Sequence, residues 1–228
     1  MLGMATRIPC STDEWYHCYN RGVDKRSVFR HKQDYERFLA LLYTSNGSNT
    51  DAISNRFNLD LRSILTEKDD RGDALVEIAV YCLMPSHVHL VLKQLVDGGI
   101  AKFMQKVFTA YTMYFNSRSD RTGALFAGTY KAKHIDDDRY LKCAIPYVLL
   151  NPIEIFQPKW KEGVRDFVAA KKQLLEYEFS SAASFAGGKS MTTKITGTAI
   201  RDYYDKLPTL DQMLKDATEY HKEYRPDY

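Results

Sequence analysis

The sequence predicts an α+β fold in which an antiparallel sheet carries helices on one face and a helical extension follows at the C-terminus. Three observations predict it. Short apolar runs of strand length alternate along the chain with stretches whose apolar residues recur at helical spacing. Two of these runs are separated only by Met84, Pro85 and Ser86, as in a hairpin. A separate apolar stripe follows a Ser- and Gly-rich stretch near the end of the chain.

The predicted elements follow the order β-α-β-β-α-β. We expect strands over residues 15–23, 75–83, 87–94 and 130–135, and helices over residues 33–42 and 100–115. The second helix has one apolar stripe, formed by Ile100, Phe103, Met104, Val107, Phe108, Tyr111 and Phe115. This order of elements is typical of ferredoxin-like and RRM-like domains, whose sheet is antiparallel.

The chain divides into two parts. Residues 1–187 are predicted to form one domain, interrupted at 45–73 by a polar insertion with a short helix near 57–65. Residues 188–228 are predicted to be a linker and an amphipathic helix. Thr209 to Gln212 match a capping box, and the stripe that follows should pack on the domain or on a partner chain: Leu210, Met213, Leu214 and Ala217.

Composition excludes several classes of protein. Hydrophobic residues make up 44% of the chain, enough for a core, but no stretch approaches the ~18 apolar residues of a membrane span. We expect no signal peptide at the N-terminus. The four cysteines are scattered, without a Cys-x-x-Cys pair, as in a reduced cytoplasmic protein.

The charge distribution is more informative than the net charge of +3. Residues 101–135 contain six Lys or Arg and a single acidic residue, Asp120, with aromatic residues interleaved. This combination suits a nucleic-acid backbone with unstacked bases, but a solvated helix face beside an ordinary core is an equally common explanation. The candidate backbone contacts are Arg21, Arg121, Lys131 and Lys133, and ordinary surface charge is an alternative for each.

A pair of histidines on a predicted strand is the first chemical feature. Because side chains alternate along a strand, His87 and His89 should share one face, while Val88 and Leu90 point to the other. Two neighbouring imidazoles form half of a metal site. An isolated His-x-His is a weak signal, since half-buried strands carry polar residues on one face by default.

A helix predicted over 137–150 supplies the second feature. Three aspartates at 136–138 favour its N-terminus. Tyr147 and Asn151 are four residues apart, so one turn brings the phenol and the amide onto the same face. Facing the histidine pair, Tyr147 is a plausible nucleophile beside a metal.

Three other tyrosines are weaker candidates for the nucleophile. Tyr111 belongs to the apolar stripe of its helix, which favours core packing, and Tyr114 lies at the edge of that stripe. Tyr140 shares the face of Tyr147 but has no asparagine four residues later.

Together these motifs resemble a known family. His87-Val88-His89 resembles the histidine–hydrophobic–histidine signature of single-tyrosine (HUH) endonucleases. The wider pattern from residue 14 to 187 resembles the REP-associated tyrosine transposases, relatives of the insertion-sequence-200-like transposases. The supporting motifs are Tyr16-His17, Asn20-Arg21-Gly22, Phe29, Asp34-Tyr35, Met84-Pro85-Ser86, Tyr114-Phe115-Asn116, Gly123 to Phe126, Tyr130-Lys131, Tyr147 to Pro152 and Ser180-Ser181.

The resemblance implies a mechanism. His87, His89 and Asn151 would bind a divalent cation, Mg²⁺ or Mn²⁺. Tyr147 would attack a phosphate of single-stranded or hairpin DNA and form a 5′-phosphotyrosine, so no nucleotide cofactor is required. The resemblance is compatible with a monomer or a homodimer, and in a dimer the tyrosine helix could serve the other subunit.

The chain departs from the family at three points, and two other functions are alternatives. Pro146 lies inside the predicted helix, where proline removes a hydrogen bond; Phe126 stands where many relatives carry tryptophan; the insertion is long. The alternative function is a domesticated hairpin-DNA-binding protein that no longer transposes. A His-x-His metallohydrolase fits less well, because such enzymes carry the pair near the start of a large barrel.

Overall fold

The computed structural model describes residues 10–49, 60–66, 71–188, 191–204 and 206–224. Within these ranges four strands form one antiparallel sheet in the order β2-β3-β1-β4. The strands are β1 (Trp15–Arg21), β2 (Val76–Met84), β3 (His87–Gln94) and β4 (Lys131–Ile135). The predicted α+β class is therefore confirmed, including the hairpin that joins β2 to β3.

Helices connect and follow these strands in the described part of the chain. In chain order they are α1 (Lys32–Thr44), α2 (Leu61–Thr66), α3 (Gly99–Arg118), α4 (Asp138–Leu150), α5 (Ile153–Phe156), α6 (Phe167–Glu176), α7 (Ala182–Phe185), α8 (Ala199–Asp202) and α9 (Leu210–Tyr224). Helix α2 lies in the predicted insertion, and residues 57–59 of the helix expected there fall outside the described residues.

The first face of the sheet packs against α1 and α3. Val88, Leu90 and Leu92 of β3 are fully buried in this layer, together with Phe38 of α1 and Phe103 of α3. The alternation predicted for β3 is therefore present, with Val88, Leu90 and Leu92 on this face and His87 and His89 on the other. Burying each such side chain contributes about 1.5–3 kcal/mol, which makes this layer a main source of stability.

The second face of the sheet is covered as well, by α4 and α9. Trp15, Val80 and Val91 from the strands belong to the same buried cluster as Ile145 and Val148 of α4. The prediction placed the helices on one face, which describes α1 and α3 alone. The physical reason is that β2 is apolar almost throughout, and a strand of this kind is stable only when both its faces are covered.

Helix α4 is continuous through Pro146. The side chain of Asp137 caps its N-terminus by accepting a hydrogen bond from the backbone N–H of Tyr140 at 2.6 Å. Proline removes one hydrogen bond inside a helix. The tight packing of α4 against the sheet and α9 offsets this loss, because Cys143 and every residue from Ala144 to Leu150 are buried.

The C-terminal helix packs back on the domain, one of the two placements that its apolar stripe predicted. Met213, Ala217 and Tyr220 of α9 are buried in the same cluster as α4. No helix in the described part of the chain combines the length and apolar character that crossing a membrane would require.

Candidate active site

His87 and His89 lie side by side on β3, on the face that α4 covers. Their ring centroids are 5.0 Å apart. In the register of the sheet, His87 lies opposite Arg21 and His89 lies opposite Tyr19, both on β1. The predicted pairing of the two imidazoles on one face is therefore observed.

The ring of Tyr147 lies against His89. The two ring centroids are 6.0 Å apart and the ring planes are perpendicular. The Tyr147 side chain is fully buried. The structure thus brings the predicted nucleophile next to His89 within a single chain, whereas the sequence had left open whether the tyrosine helix serves its own subunit or a partner.

Asn151 occupies the C-cap position of α4, one turn after Tyr147. It is buried, and its amide nitrogen Nδ2 donates a hydrogen bond to the backbone oxygen of Tyr147 at 2.8 Å. This bond ties the amide to the turn that carries the phenol. The role of Asn151 as a metal ligand stays a prediction.

Two residues that the sequence did not mark as site residues extend the site behind His89. His17 of β1 places its Nε2 atom 3.0 Å from Nδ1 of His89. The hydroxyl of Tyr220, on α9, lies 2.8 Å from Nδ1 of His17. Nothing in the local pattern around either residue indicated this, although His17 is part of a motif that supported the family resemblance.

The three imidazoles are uncharged at neutral pH. Burial lowers the pKa of His17 to about 3, assisted by Lys133. Burial, together with the positive charges of Arg21 and Lys161, lowers the pKa of His87 to about 3. Burial and the neighbouring imidazoles lower the pKa of His89 well below its ordinary value. A neutral imidazole is the form that binds a metal ion.

A lysine contacts the phenol of Tyr147. Lys161, in the short 3₁₀ segment Trp160–Glu162, donates a hydrogen bond from Nζ to the Tyr147 hydroxyl at 3.3 Å. Burial raises the pKa of the Tyr147 phenol and lowers the pKa of the Lys161 ammonium. Lys161 has no signal in the sequence, because a single lysine in an irregular segment carries no pattern.

The predicted DNA-contacting residues occupy different places. Arg21 and Lys131 line a cavity of about 250 Å³. The other residues that line it are His87, His89, Tyr19, Asn20, Ala127 and Thr129. Lys133 follows on the same strand, with its Nζ 5.4 Å from the centroid of the Tyr140 ring. Arg121 instead donates hydrogen bonds to Asn116 and to the backbone oxygen of Ala124, and so closes the loop after α3.

The donor set at this cavity fits a divalent cation with an open coordination sphere. His87 and His89 are neutral and adjacent, and the contact of His89 Nδ1 with His17 leaves Nε2 as its ligating atom. The described residues contain no group of three His, Cys, Asp or Glu placed to hold a metal ion, so an ion here would need ligands besides the two imidazoles. Such a set differs from the four closed ligands of structural zinc.

Comparisons with known proteins match the chain to one family. A family model described as "Transposase IS200 like" matches residues 12–149, a segment that contains His87, His89 and Tyr147. No curated protein matches the chain. A solved structure described as "Structure of the REP associates tyrosine transposase bound to a REP hairpin" is similar, with a TM-score of 0.49 and 12% identity. This similarity covers 92% of this chain and 93% of that one.

Proposed function

Because the chain belongs to the IS200-like transposase family, we propose that it is a metal-dependent enzyme that nicks and joins single-stranded or hairpin DNA. Transposase-type processing of DNA is the function of the family; the metal, the nucleophile and the form of the DNA are the proposal. One observation carries it: the Tyr147 ring lies 6.0 Å from the ring of His89 in the same chain.

In the first step the Tyr147 oxygen attacks phosphorus. A bond forms between this oxygen and the phosphate, the bond to the 3′ oxygen of the preceding nucleotide breaks, and the phenol loses a proton while the leaving 3′ oxygen gains one. The products are a 5′-phosphotyrosine and a free 3′-hydroxyl. Burial raises the pKa of the phenol and so opposes loss of its proton. A positive charge beside the phenol has the opposite effect, and the Lys161 ammonium supplies such a charge 3.3 Å from the hydroxyl.

In the second step a 3′-hydroxyl attacks the phosphotyrosine. The phosphodiester bond forms again, the bond to Tyr147 breaks, and the phenol recovers a proton. Strand joining needs no external energy source, because the phosphotyrosine conserves the energy of the broken bond.

His87, His89 and Asn151 would hold the divalent cation, Mg²⁺ or Mn²⁺. When bound, it supplies positive charge to the scissile phosphate and stabilises the negative charge that develops there. Arg21 and Lys131 line the same cavity as the histidines, so their positive charges would bind the phosphates on either side of the scissile bond. Lys133 and Arg121 are proposed to contact DNA further away.

A second candidate function is hairpin-DNA binding without cleavage. The complete burial of the Tyr147 side chain favours it, since a nucleophile must be reached by its phosphate. The two functions differ in whether a covalent adduct forms.

The adduct can be detected directly. Wild-type protein is incubated with labelled single-stranded DNA that carries a hairpin, with Mg²⁺, Mn²⁺ or EDTA, and run on a denaturing gel. We expect a covalent protein–DNA band with metal that is lost with EDTA and in Tyr147→Phe. Tyr111→Phe is the matched control, because it also removes a buried tyrosine hydroxyl, on the other face of the sheet, and should keep the adduct. Hairpin binding without an adduct in any metal would favour the second candidate.

A further inference from the structure

The C-terminal helix contributes to a buried row of hydrogen bonds that ends at His89. The hydroxyl of Tyr220 lies 2.8 Å from Nδ1 of His17, and Nε2 of His17 lies 3.0 Å from Nδ1 of His89. All three side chains are fully buried. Tyr220 lies well outside residues 12–149, the segment that matches the family model.

The positions of the protons in this row are coupled. A neutral imidazole carries one proton, so a ring that binds an ion through Nε2 must carry its proton on Nδ1. His89 Nδ1–H then donates to Nε2 of His17. His17 must in turn carry its proton on Nδ1 and donate it to the oxygen of Tyr220. The hydroxyl of Tyr220 can donate onward to Tyr140, whose oxygen is 3.3 Å away.

The opposite arrangement would block the site. If the Tyr220 hydroxyl donates to His17 Nδ1, then His17 Nε2–H donates to His89, and the proton of His89 occupies Nε2. That nitrogen then has no lone pair for an ion. The ion-binding arrangement therefore requires an acceptor at the end of the row, in the place where α9 puts the Tyr220 oxygen.

We infer that Tyr220 is a positioning residue of the ion site, which acts through His17 to hold His89 in the tautomer and orientation that present Nε2 to the ion. This inference rests on the proposed function. Groups that hydrogen-bond the second nitrogen of a metal-binding histidine fix its tautomer, and their loss weakens metal binding by about 10- to 100-fold. Here His17 is the group on the second nitrogen of His89, and Tyr220, on a helix outside the matched family segment, holds the other nitrogen of His17.

The same helix also contacts the nucleophile. The Tyr220 ring lies 4.6 Å from the Tyr147 ring between centroids, and α9 packs along α4. Tyr220→Phe keeps this ring contact and removes only the oxygen, so it separates the role in the hydrogen-bonded row from the role in packing.

The test measures Mn²⁺ binding by titration calorimetry on the full chain without DNA. We expect Tyr220→Phe to weaken the Kd by about 10- to 100-fold relative to wild type. Tyr111→Phe is the matched control and should bind Mn²⁺ as the wild type does. Unchanged affinity in Tyr220→Phe would overturn the inference while leaving the proposed function intact. Absence of Mn²⁺ and Mg²⁺ binding in the wild type would instead overturn the proposed function.

Two further measurements separate positioning from a general loss of structure. In His17→Gln the row is cut, so adding Tyr220→Phe should have little further effect on Mn²⁺ affinity; an equal effect in both backgrounds would contradict action through His17.

Nitrogen–proton correlation NMR of the Mg²⁺-loaded wild type needs no variant. It should show His17 and His89 both protonated on Nδ1, and a proton on Nε2 of His17 would overturn the inference.

Discussion

The ring of Tyr147 stands perpendicular to the ring of His89, with 6.0 Å between their centroids, and both residues belong to one chain. Helix α4 reaches this position by packing directly on β2 and β3, in the layer that includes Val80 and Ile145. One chain therefore contains the proposed nucleophile and the imidazole pair in proximity. We expect that each site uses the tyrosine of its own chain.

Mixing two inactive variants tests this arrangement. Tyr147→Phe lacks the nucleophile and His89→Ala lacks one imidazole, so neither should form the DNA adduct alone. Because we expect each site to use the tyrosine of its own chain, the mixture should also form no adduct on a denaturing gel. If the tyrosine helix were exchanged between two subunits, half of the sites in mixed dimers would be complete, and the mixture would recover activity.

Lys161 is expected to assist the reaction. Its Nζ donates to the Tyr147 hydroxyl at 3.3 Å, and a nearby positive charge makes loss of the phenol proton easier. Lys161→Met should slow adduct formation by roughly 10²-fold, the low end for proton-transfer assistance. The rate should also rise at higher pH than in the wild type, because the phenol loses an ammonium group that favours loss of its proton.

The control for Lys161→Met is Lys142→Met. Lys142 is exposed on α4, the helix that carries Tyr147, so this substitution removes a positive charge nearby without touching the phenol. Single-turnover rates over a pH series should match the wild type for Lys142→Met. A Lys161→Met profile equal to that of the wild type would exclude the proposed assistance.

The parts of the site that could be predicted follow local periodicity. His87 and His89 are two residues apart on a strand, and Tyr147 and Asn151 are four apart on a helix, so each pair shares a face by geometry alone. The sequence also indicates that both faces of the sheet are covered by helices, because β2 is apolar almost throughout.

The remaining parts depend on contacts between distant segments. His17 meets His89 across 72 residues and Tyr220 across 203 residues. Neither contact follows from the spacing of residues on one element, since it exists only after the sheet forms and α9 packs on α4. The same reason explains why the hydrogen bonds of Arg121 to Asn116 and Ala124 were not predicted: they form only in the folded loop.

Asp34 is expected to be important for stability. Its buried carboxylate accepts hydrogen bonds from the backbone N–H groups of Arg30 and His31, at 2.8 and 2.9 Å, and from the Arg118 guanidinium at 2.8 Å. It thus joins the start of α1 to the end of α3. Asp34→Ala should lower the free energy of unfolding by about 2–4 kcal/mol, because several charge-assisted bonds are lost.

Urea denaturation measures this change, with Glu178→Ala as the control. Glu178 also pairs with a basic residue, Lys32 at 2.8 Å, but both side chains are more than half exposed. Exposed pairs contribute about 0–1 kcal/mol, so this variant should unfold close to the wild type. Similar decreases in the free energy of unfolding of the two variants would show that the buried Asp34 carboxylate contributes no more to stability than an exposed ion pair does.

Asp216 on α9 is expected to destabilise the folded chain slightly at neutral pH. Partial burial and the nearby Glu219 raise the pKa of its carboxyl above the ordinary value. The folded state therefore binds this proton more tightly than the unfolded state, and the free energy of unfolding falls as pH rises through the two pKa values. Asp216→Asn removes the charge but keeps an oxygen that can accept the hydrogen bond from Gln212.

We therefore expect Asp216→Asn to raise the melting temperature at pH 7 and to make no difference at pH 3, where the wild-type carboxyl is protonated. The gain should stay below about 1 kcal/mol, since solvent screens a side chain that is only partly buried. Asp211→Asn is the matched control, and we expect it to change the melting temperature in the opposite direction. Asp211 lies in the first turn of the same helix, where negative charge is favourable, so its loss should lower the melting temperature at pH 7. Thermal melts followed by circular dichroism decide the matter: a shift of the same sign in both variants would mean that overall charge, and not the placement of each carboxylate on α9, controls stability.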